Sequence, residues 1–208
     1  MRKLLALALF AASVTALAAF SPVIADDKKD DKEIKPEIEV VYVPTHEKVV
    51  SAMLKLANVK ENDTVYDLGC GDGRITIAAV KEFKAKRGLG LDFNPERLKD
   101  CAKRVKDEKL TEEQVKKLEF KRGDVLKMTP EDFKDVDVVT LYLYPQVNLR
   151  LMPVLKKGLK VGARIVSHDF DMDEWKEDKQ EKVEADRTHT IYLWTIKKED
   201  KEDKEEKK

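Results

Sequence analysis

Between Thr64 and Val80 an apolar, β-branched stretch (Thr64-Val65-Tyr66) leads through Asp67-Leu68-Gly69-Cys70-Gly71-Asp72-Gly73-Arg74 into an amphipathic one (Ile75, Ile77, Ala78, Ala79, Val80). The sequence predicts a strand, a glycine turn and a helix. Glycines at alternate positions let the backbone turn sharply and lie close against a ligand. An acid, Asp67, closes the strand, and the helix behind the turn offers unpaired N–H groups to something negative. Counting from Gly69, the sixth position is Arg74 rather than glycine. That disfavours the dinucleotide fingerprint G-x-G-x-x-G, and with it a nicotinamide-dependent oxidoreductase.

The remaining pattern continues the alternation. An apolar run, Ile38 to Val43, ends at Pro44, and Thr45 is placed to cap a helix from Glu47 to Leu56. Strand Thr64 to Leu68 is followed by a helix over Arg74 to Lys84, a strand over Arg87 to Leu91 and a helix from Pro95 to Lys106. Thr111-x-x-Gln114 is a capping-box pattern opening a short helix to Lys117, before a strand over Leu118 to Lys121. Val136 to Leu143 is too short and too β-branched for a helix and predicts a buried central strand. Next come a helix over Val147 to Lys156, a strand over Arg164 to Ser167, and two runs, Lys182 to Ala185 and Thr190 to Ile196, suited to an antiparallel hairpin. The fold class is therefore α/β, a doubly wound and mostly parallel sheet closed by that hairpin.

The ends of the chain differ from its middle. Arg2 and Lys3 precede an uncharged stretch from Leu4 to Ile24, and Val23-Ile24-Ala25 suits a signal peptidase. Residues 1–25 read as a signal peptide cut after Ala25, which predicts export to the periplasm or beyond. The competing reading is an uncleaved membrane anchor, for which the 17 residues from Leu4 to Phe20 are at the short limit. Residues 26–36 form a charged linker, 37–196 the folded domain, and 197–208 a tail of six lysines and six acids read as solvated and disordered. Lys+Arg and Asp+Glu balance at 41 each, so no net field recruits nucleic acid. Membrane contact is expected only through the N-terminal segment if it stays uncut. Bridging Cys70 to Cys101 would pull on the glycine turn, so two free thiols are expected.

Ligands of open α/β sheets bind beyond the carboxyl ends of the strands. Here those ends carry Asp67, Asp92, Asp124, Tyr144-Pro145 and His168-Asp169. Acid-Leu-Gly-x-Gly-x-Gly followed by a second strand ending in an acid resembles the S-adenosylmethionine (SAM) dependent methyltransferases of the seven-stranded, Rossmann-like class. The resemblance implies SAM as cofactor, its amino-acid end on Gly69, Gly71 and Gly73, its ribose on Asp92 and its adenine amino group at Asp124, with Val125 against the ring. Tyr42-Val43-Pro44-Thr45, Val49-Val50, Met53-Leu54, Tyr66 to Ile75, Ser167-His168-Asp169-Phe170 and Thr190 to Trp194 together resemble the ATP synthase c-subunit lysine methyltransferases and their bacterial relatives. That closer likeness implies a Val-Pro-Thr segment folded over the SAM site, with Tyr42 and Thr45 near the methionine end. It departs at His46, where proline is expected.

The activity so implied is methyl transfer to an amine, either a protein lysine or a small molecule. Positioning supplies most of the rate of such a reaction. Tyr144 is expected to orient the amine, with His168 and Asp169 behind it, while Tyr142 is expected in the core; no metal ligands are assigned. Amino-methylating nucleic-acid enzymes carry Asn/Asp-Pro-Pro-aromatic where this chain has Tyr142-Leu143-Tyr144-Pro145, which disfavours nucleic acid as acceptor. The alternative of another class is a module that holds SAM or another adenosyl ligand without turnover.

Overall fold

A computed structural model describes residues 23–25 and 35–201. The stretch from Met1 to Pro22, most of the predicted linker and the tail beyond Lys201 lie outside the described residues, and with them most of the predicted signal segment. Eight strands form one sheet: β1 (Val23–Ala25), β2 (Thr64–Leu68), β3 (Arg87–Asp92), β4 (Leu118–Arg122), β5 (Val138–Leu141), β6 (Arg164–His168), β7 (Lys179–Glu184) and β8 (Thr188–Thr195). Their spatial order is β1-β4-β3-β2-β5-β6-β8-β7; β8 is antiparallel to both β6 and β7, and the other pairs are parallel. The last seven strands are the expected sheet. The three-residue β1, which the predicted cleavage would remove, is an addition at its edge.

Five helices cover the sheet: α1 (Glu47–Leu56), α2 (Arg74–Lys81), α3 (Pro95–Asp107), α4 (Glu112–Lys116) and α5 (Pro145–Gly158). The period of two along the central strands explains why both faces are dry. Val65 of β2, Val138 of β5 and Val166 of β6 join the cluster under α1 and α2, whereas Leu68, Val139, Leu141 and Ile165 join the cluster under α5. Strands covered on both faces read as continuous apolar runs, which is what makes Val136 to Leu143 recognisable.

Several boundaries move for identifiable reasons. The helix expected over Arg74 to Lys84 stops at Lys81, because Lys84 takes a left-handed conformation (φ 59°) and Ala85 N closes back on Ala79 O. His46 rather than Thr45 caps α1, its ring accepting from Lys48 N. The Thr111–Gln114 capping box forms as expected. In the hairpin, β7 starts three residues before the expected run; its outer face meets solvent, so Lys179-Gln180-Glu181 carry no apolar signal.

The strand order reverses at β2, with β3 and then β4 to one side and β5 and then β6 to the other. The crevice at this reversal is where such sheets hold ligands.

Candidate active site

The glycine turn begins at the end of β2 and is tied to β3: the Gly69 and Cys70 amides both donate to Leu91 O, at 2.8 and 3.0 Å. All three glycines have positive φ. At Gly71 (φ 56°) a Cβ would stand 2.3 Å from the Tyr42 ring, so the absence of a side chain is what lets that ring lie on the turn. Gly73 has a different task. It caps α2 with φ 77°, and a Cβ there would strike the Phe120 ring at 2.7 Å; it does not line the cavity. Cys70 and Cys101 are buried free thiols beside the turn, with Cys101 Sγ donating to Gly71 O at 3.1 Å.

A cavity of about 270 Å³ opens over the turn, lined among others by Tyr42, Thr45, Asp67, Gly69, Gly71, Asp92 and Asp124. Seven of the eight residues expected on the cofactor therefore converge. Asp67 is almost fully buried; its Oδ1 accepts from Thr140 Oγ1 at 2.6 Å and its Oδ2 from Thr76 Oγ1 at 3.2 Å. Burial strips its solvation and pushes its pKa up to about 7, against the two hydroxyl bonds and with help from Asp72 and Asp92. Asp92 braces the turn: Oδ2 accepts from Gly71 N and Oδ1 from Asn94 N, both at 2.9 Å. Burial raises its pKa as well. Asp124 Oδ1 accepts from Leu126 N at 2.9 Å.

The segment 36–45 forms the outer wall. Pro36, Ile38 and Val40 are half-buried between exposed neighbours, and Tyr42 lies between Gly71 and the Arg97 guanidinium, which stacks 4.4 Å above its ring. Arg74, which the sequence shows only as a missing glycine, fastens this wall. Its NH1 donates to Thr45 O at 2.7 Å, while Nε and NH2 grip Asp72 at 2.9 and 2.7 Å. Arg104 reaches the same carboxylate at 2.8 Å. Burial works against the Asp72 charge, but the two guanidiniums outweigh it and hold its pKa below the usual range.

The other wall comes from β5 and α5. Tyr142, Leu143 and Val147 line the cavity; Tyr144 caps α5 half-buried in the apolar cluster and does not. The tyrosine expected in the core is thus the one on the cavity. Tyr142 stacks on His168 with centroids 3.8 Å apart. His168 is fully buried and does not face the cavity; Thr45 Oγ1, 3.2 Å from its Nδ1, stands between. Asp169 has φ 62°, and its carboxylate is taken by Arg187 and by Thr190 N. His189 and Asp186, not singled out in the sequence, extend the cluster from the hairpin. No short motif marks them, since they meet His168 only through the pairing of β8 with β6.

A sequence profile described as the ANTKMT methyltransferase domain matches residues 67–179, more than half of the chain. A protein-lysine N-methyltransferase of Saccharolobus islandicus (strain REY15A) is 40% identical over 158 residues, 76% of this chain and 94% of that protein. The human ATP synthase c-subunit lysine N-methyltransferase is 28% identical over 137 residues, 66% of this chain and 54% of that one. A crystal structure described as an RNA methyltransferase from Salinibacter ruber in complex with S-adenosyl-L-homocysteine is 42% identical; the match covers 75% of this chain and 95% of that one with a TM-score of 0.66. Strand order, glycine turn and relatives agree: the chain belongs to the ANTKMT methyltransferase domain family and is a SAM-dependent methyltransferase.

Proposed function

We propose that the acceptor is a lysine side chain of a protein. The likeness to the S. islandicus enzyme, which spans nearly all of that protein, carries this reading. SAM supplies a methyl group on a cationic sulfonium, and the residues present fit it. A desolvated carboxylate that faces a cavity and is bonded only to hydroxyls, as at Asp67, suits the positive end of the cofactor. Gly69 and Gly71 would take the amino-acid end, Asp92 the ribose and Asp124 with Val125 the adenine. Tyr42 would close over them, with Thr45, at the end of the same segment, turned toward the acceptor side where its hydroxyl meets His168.

The acceptor side needs little covalent chemistry. A lysine amine attacks only as the free base, in line with the bond that breaks, so the protein must hold the nitrogen and keep water away. Tyr142, Leu143 and Val147 offer an uncharged wall for its aliphatic stem.

The test is transfer of radiolabelled methyl from SAM into a bacterial extract split into protein and RNA. Label in protein, mapped to lysine, supports the reading; label in RNA alone overturns it in favour of the activity by which the S. ruber relative is described. We further propose that residues 1–25 direct export as a signal peptide that is cut after Ala25, rather than as an uncleaved anchor. N-terminal sequencing of the protein recovered from cells would then read from Asp26, and a sequence beginning at Met1 would refute it.

A further inference from the structure

His168 touches no part of the cavity, yet it is one link of an unbroken chain of hydrogen bonds ending there. Thr45 Oγ1 lies 3.2 Å from His168 Nδ1, His168 Nε2 lies 2.8 Å from His189 Nδ1, and His189 Nε2 lies 2.9 Å from Asp186 Oδ1. The outer end fixes the direction of every bond. Asp186 is an exposed carboxylate whose pKa the bond from His189 holds below the usual range, so it only accepts. His189 Nε2 must then carry the proton, which leaves Nδ1 of the neutral ring bare. His168 Nε2 must donate to that bare nitrogen, which leaves His168 Nδ1 bare in turn. Thr45 therefore donates its hydroxyl proton inward and presents only lone pairs to the cavity.

The His168 ring has reason to stay neutral. Burial drives the His168 pKa down to about 4, overriding the attraction of Asp169. Asp169 Oδ2 lies 3.4 Å from His168 Nε2 and 3.7 Å from His189 Nδ1, but Arg187 is bonded to the same oxygen and neutralises it. The Tyr142 ring, just beyond the end of β5, covers His168, and His46 stands near enough to bias Asp186. His168, His189 and Asp169 bring three possible ligand atoms within 4.8 Å of one another. With Arg187 already on the carboxylate and a proton between the facing nitrogens, the cluster is satisfied as it stands.

We propose that Asp186, His189 and His168 act as positioning residues that fix Thr45 Oγ1 as the hydrogen-bond acceptor for an N–H of the substrate amine. This rests on the amine-acceptor reading above. The orientation matters because a hydroxyl free to rotate could donate to the amine lone pair and mask the nucleophile. A committed acceptor takes the N–H instead and leaves the lone pair free for attack. One proton added at His189 Nδ1 reverses it: His168 Nε2 must then accept, the His168 proton passes to Nδ1 and faces Thr45 Oγ1, and the hydroxyl keeps its proton but turns it toward the cavity. Transfer should therefore fall on acidification while SAM binding persists.

The experiment uses the full chain, radiolabelled SAM and two lysine-rich probes, poly-L-lysine and casein. Thr45→Val should lower kcat about 10- to 100-fold, Thr45→Ser should stay within about threefold of wild type, and SAM affinity should hold in both. Asp186→Asn, on the surface, should lower kcat about 3- to 10-fold and move the acid limb of the pH–rate profile to lower pH, with Asp186→Glu restoring both. If Thr45→Val spares kcat but weakens SAM binding tenfold, the hydroxyl serves the cofactor's own amino group and the proposal fails. Unchanged kcat and pH profile in Asp186→Asn overturn it as well. A wild-type chain that labels neither probe but labels RNA defeats the lysine reading instead.

Discussion

Replacing Asp67 by asparagine should stabilise this protein, and by an amount that depends on pH. The side chain is 2% exposed and pinned between Thr140 and Thr76. Folding moves its pKa from an ordinary 3.8 to about 7. At about 1.36 kcal/mol for each tenfold change in proton affinity, that corresponds to about 4 kcal/mol. Because folding raises the affinity of this carboxyl for a proton, the folded chain binds more protons than the unfolded one between pH 3.8 and 7. The group's contribution is fully present below 3.8, declines as pH rises through that window, and is lost above 7. Asparagine has the same shape and no charge to desolvate, and its amide can donate to Thr76 Oγ1. The Tm difference between variant and wild type should be near zero at pH 4 and reach about 10 °C at pH 8, from roughly 2–4 °C per kcal/mol at this size. Other titrating groups are common to both proteins and cancel in the difference. A difference that stays flat from pH 4 to 8 would mean Asp67 ionises normally, and the desolvation argument would fall. Calorimetric titration of the same variant should show SAM bound about tenfold more weakly or worse, since the carboxylate is kept for a cation at a cost in stability.

Three further outcomes follow from the geometry. Gly71→Val drives a side chain into the Tyr42 ring from a left-handed backbone, so SAM affinity should drop at least about 100-fold, whereas Gly162→Ala, with nothing within 4 Å, should leave it unchanged; equal binding by both variants would discard the packing argument. Tyr142→Ala, which removes part of the uncharged wall, should slow transfer about tenfold while Tyr144→Phe stays within about twofold, because of the two only Tyr142 lines the cavity; steady-state rates with the labelled acceptor decide, and the reverse order would return the role to Tyr144. Among the described residues a chain starting at Asp26 loses only the three-residue edge pairing of β1 with β4, so its Tm should lie within about 3 °C of the full chain; a collapse of the melt would make the segment before Asp26 part of the fold.

The fold is legible because its signals are local. A strand buried on both faces, a capping box and a glycine turn each announce themselves within eight residues or fewer, and the structure returns them nearly in place. The convergence of the acids on one cavity is legible for a related reason: Asp67, Asp92 and Asp124 lie at or just beyond strand ends, and strand ends of one parallel sheet must converge. The acceptor side is not. Choosing between Tyr142 and Tyr144 requires knowing how the chain leaves β5 at Leu141, which puts Tyr142 on the cavity and Tyr144 at the cap of α5, and both sequence neighbourhoods are apolar. His189 reaches His168 only because β8 runs antiparallel to β6 in the register that pairs His168 with Ile191, a long-range fact with no short motif behind it. Arg74 escapes a reading by motif because a family pattern describes what a position lacks, whereas its function here is a bond to Thr45 O across 29 residues.

The two walls of the cavity differ in charge, and the reaction gives a reason. On the proposed cofactor side Asp67, Asp92 and Asp124 face the space without an ion pair among the described residues, while Asp72 is gripped by Arg74 and Arg104. On the proposed acceptor side Tyr142, Leu143, Val147 and Thr45 carry no charge, and the carboxylate behind them, Asp169, is bonded to Arg187. A lysine entering there as its ammonium meets a sulfonium with no anion beside it to sustain its own charge, which lowers its pKa and favours loss of the proton before attack. A free carboxylate on that wall would do the opposite, holding the ammonium as an ion pair and withholding the lone pair. Asp169 can therefore lie close to the site only because Arg187 cancels it. Arg187→Ala should expose that charge, move the alkaline rise of kcat to higher pH and leave SAM affinity unchanged. A pH–rate profile that does not move would show that Asp169 does not act on the acceptor amine.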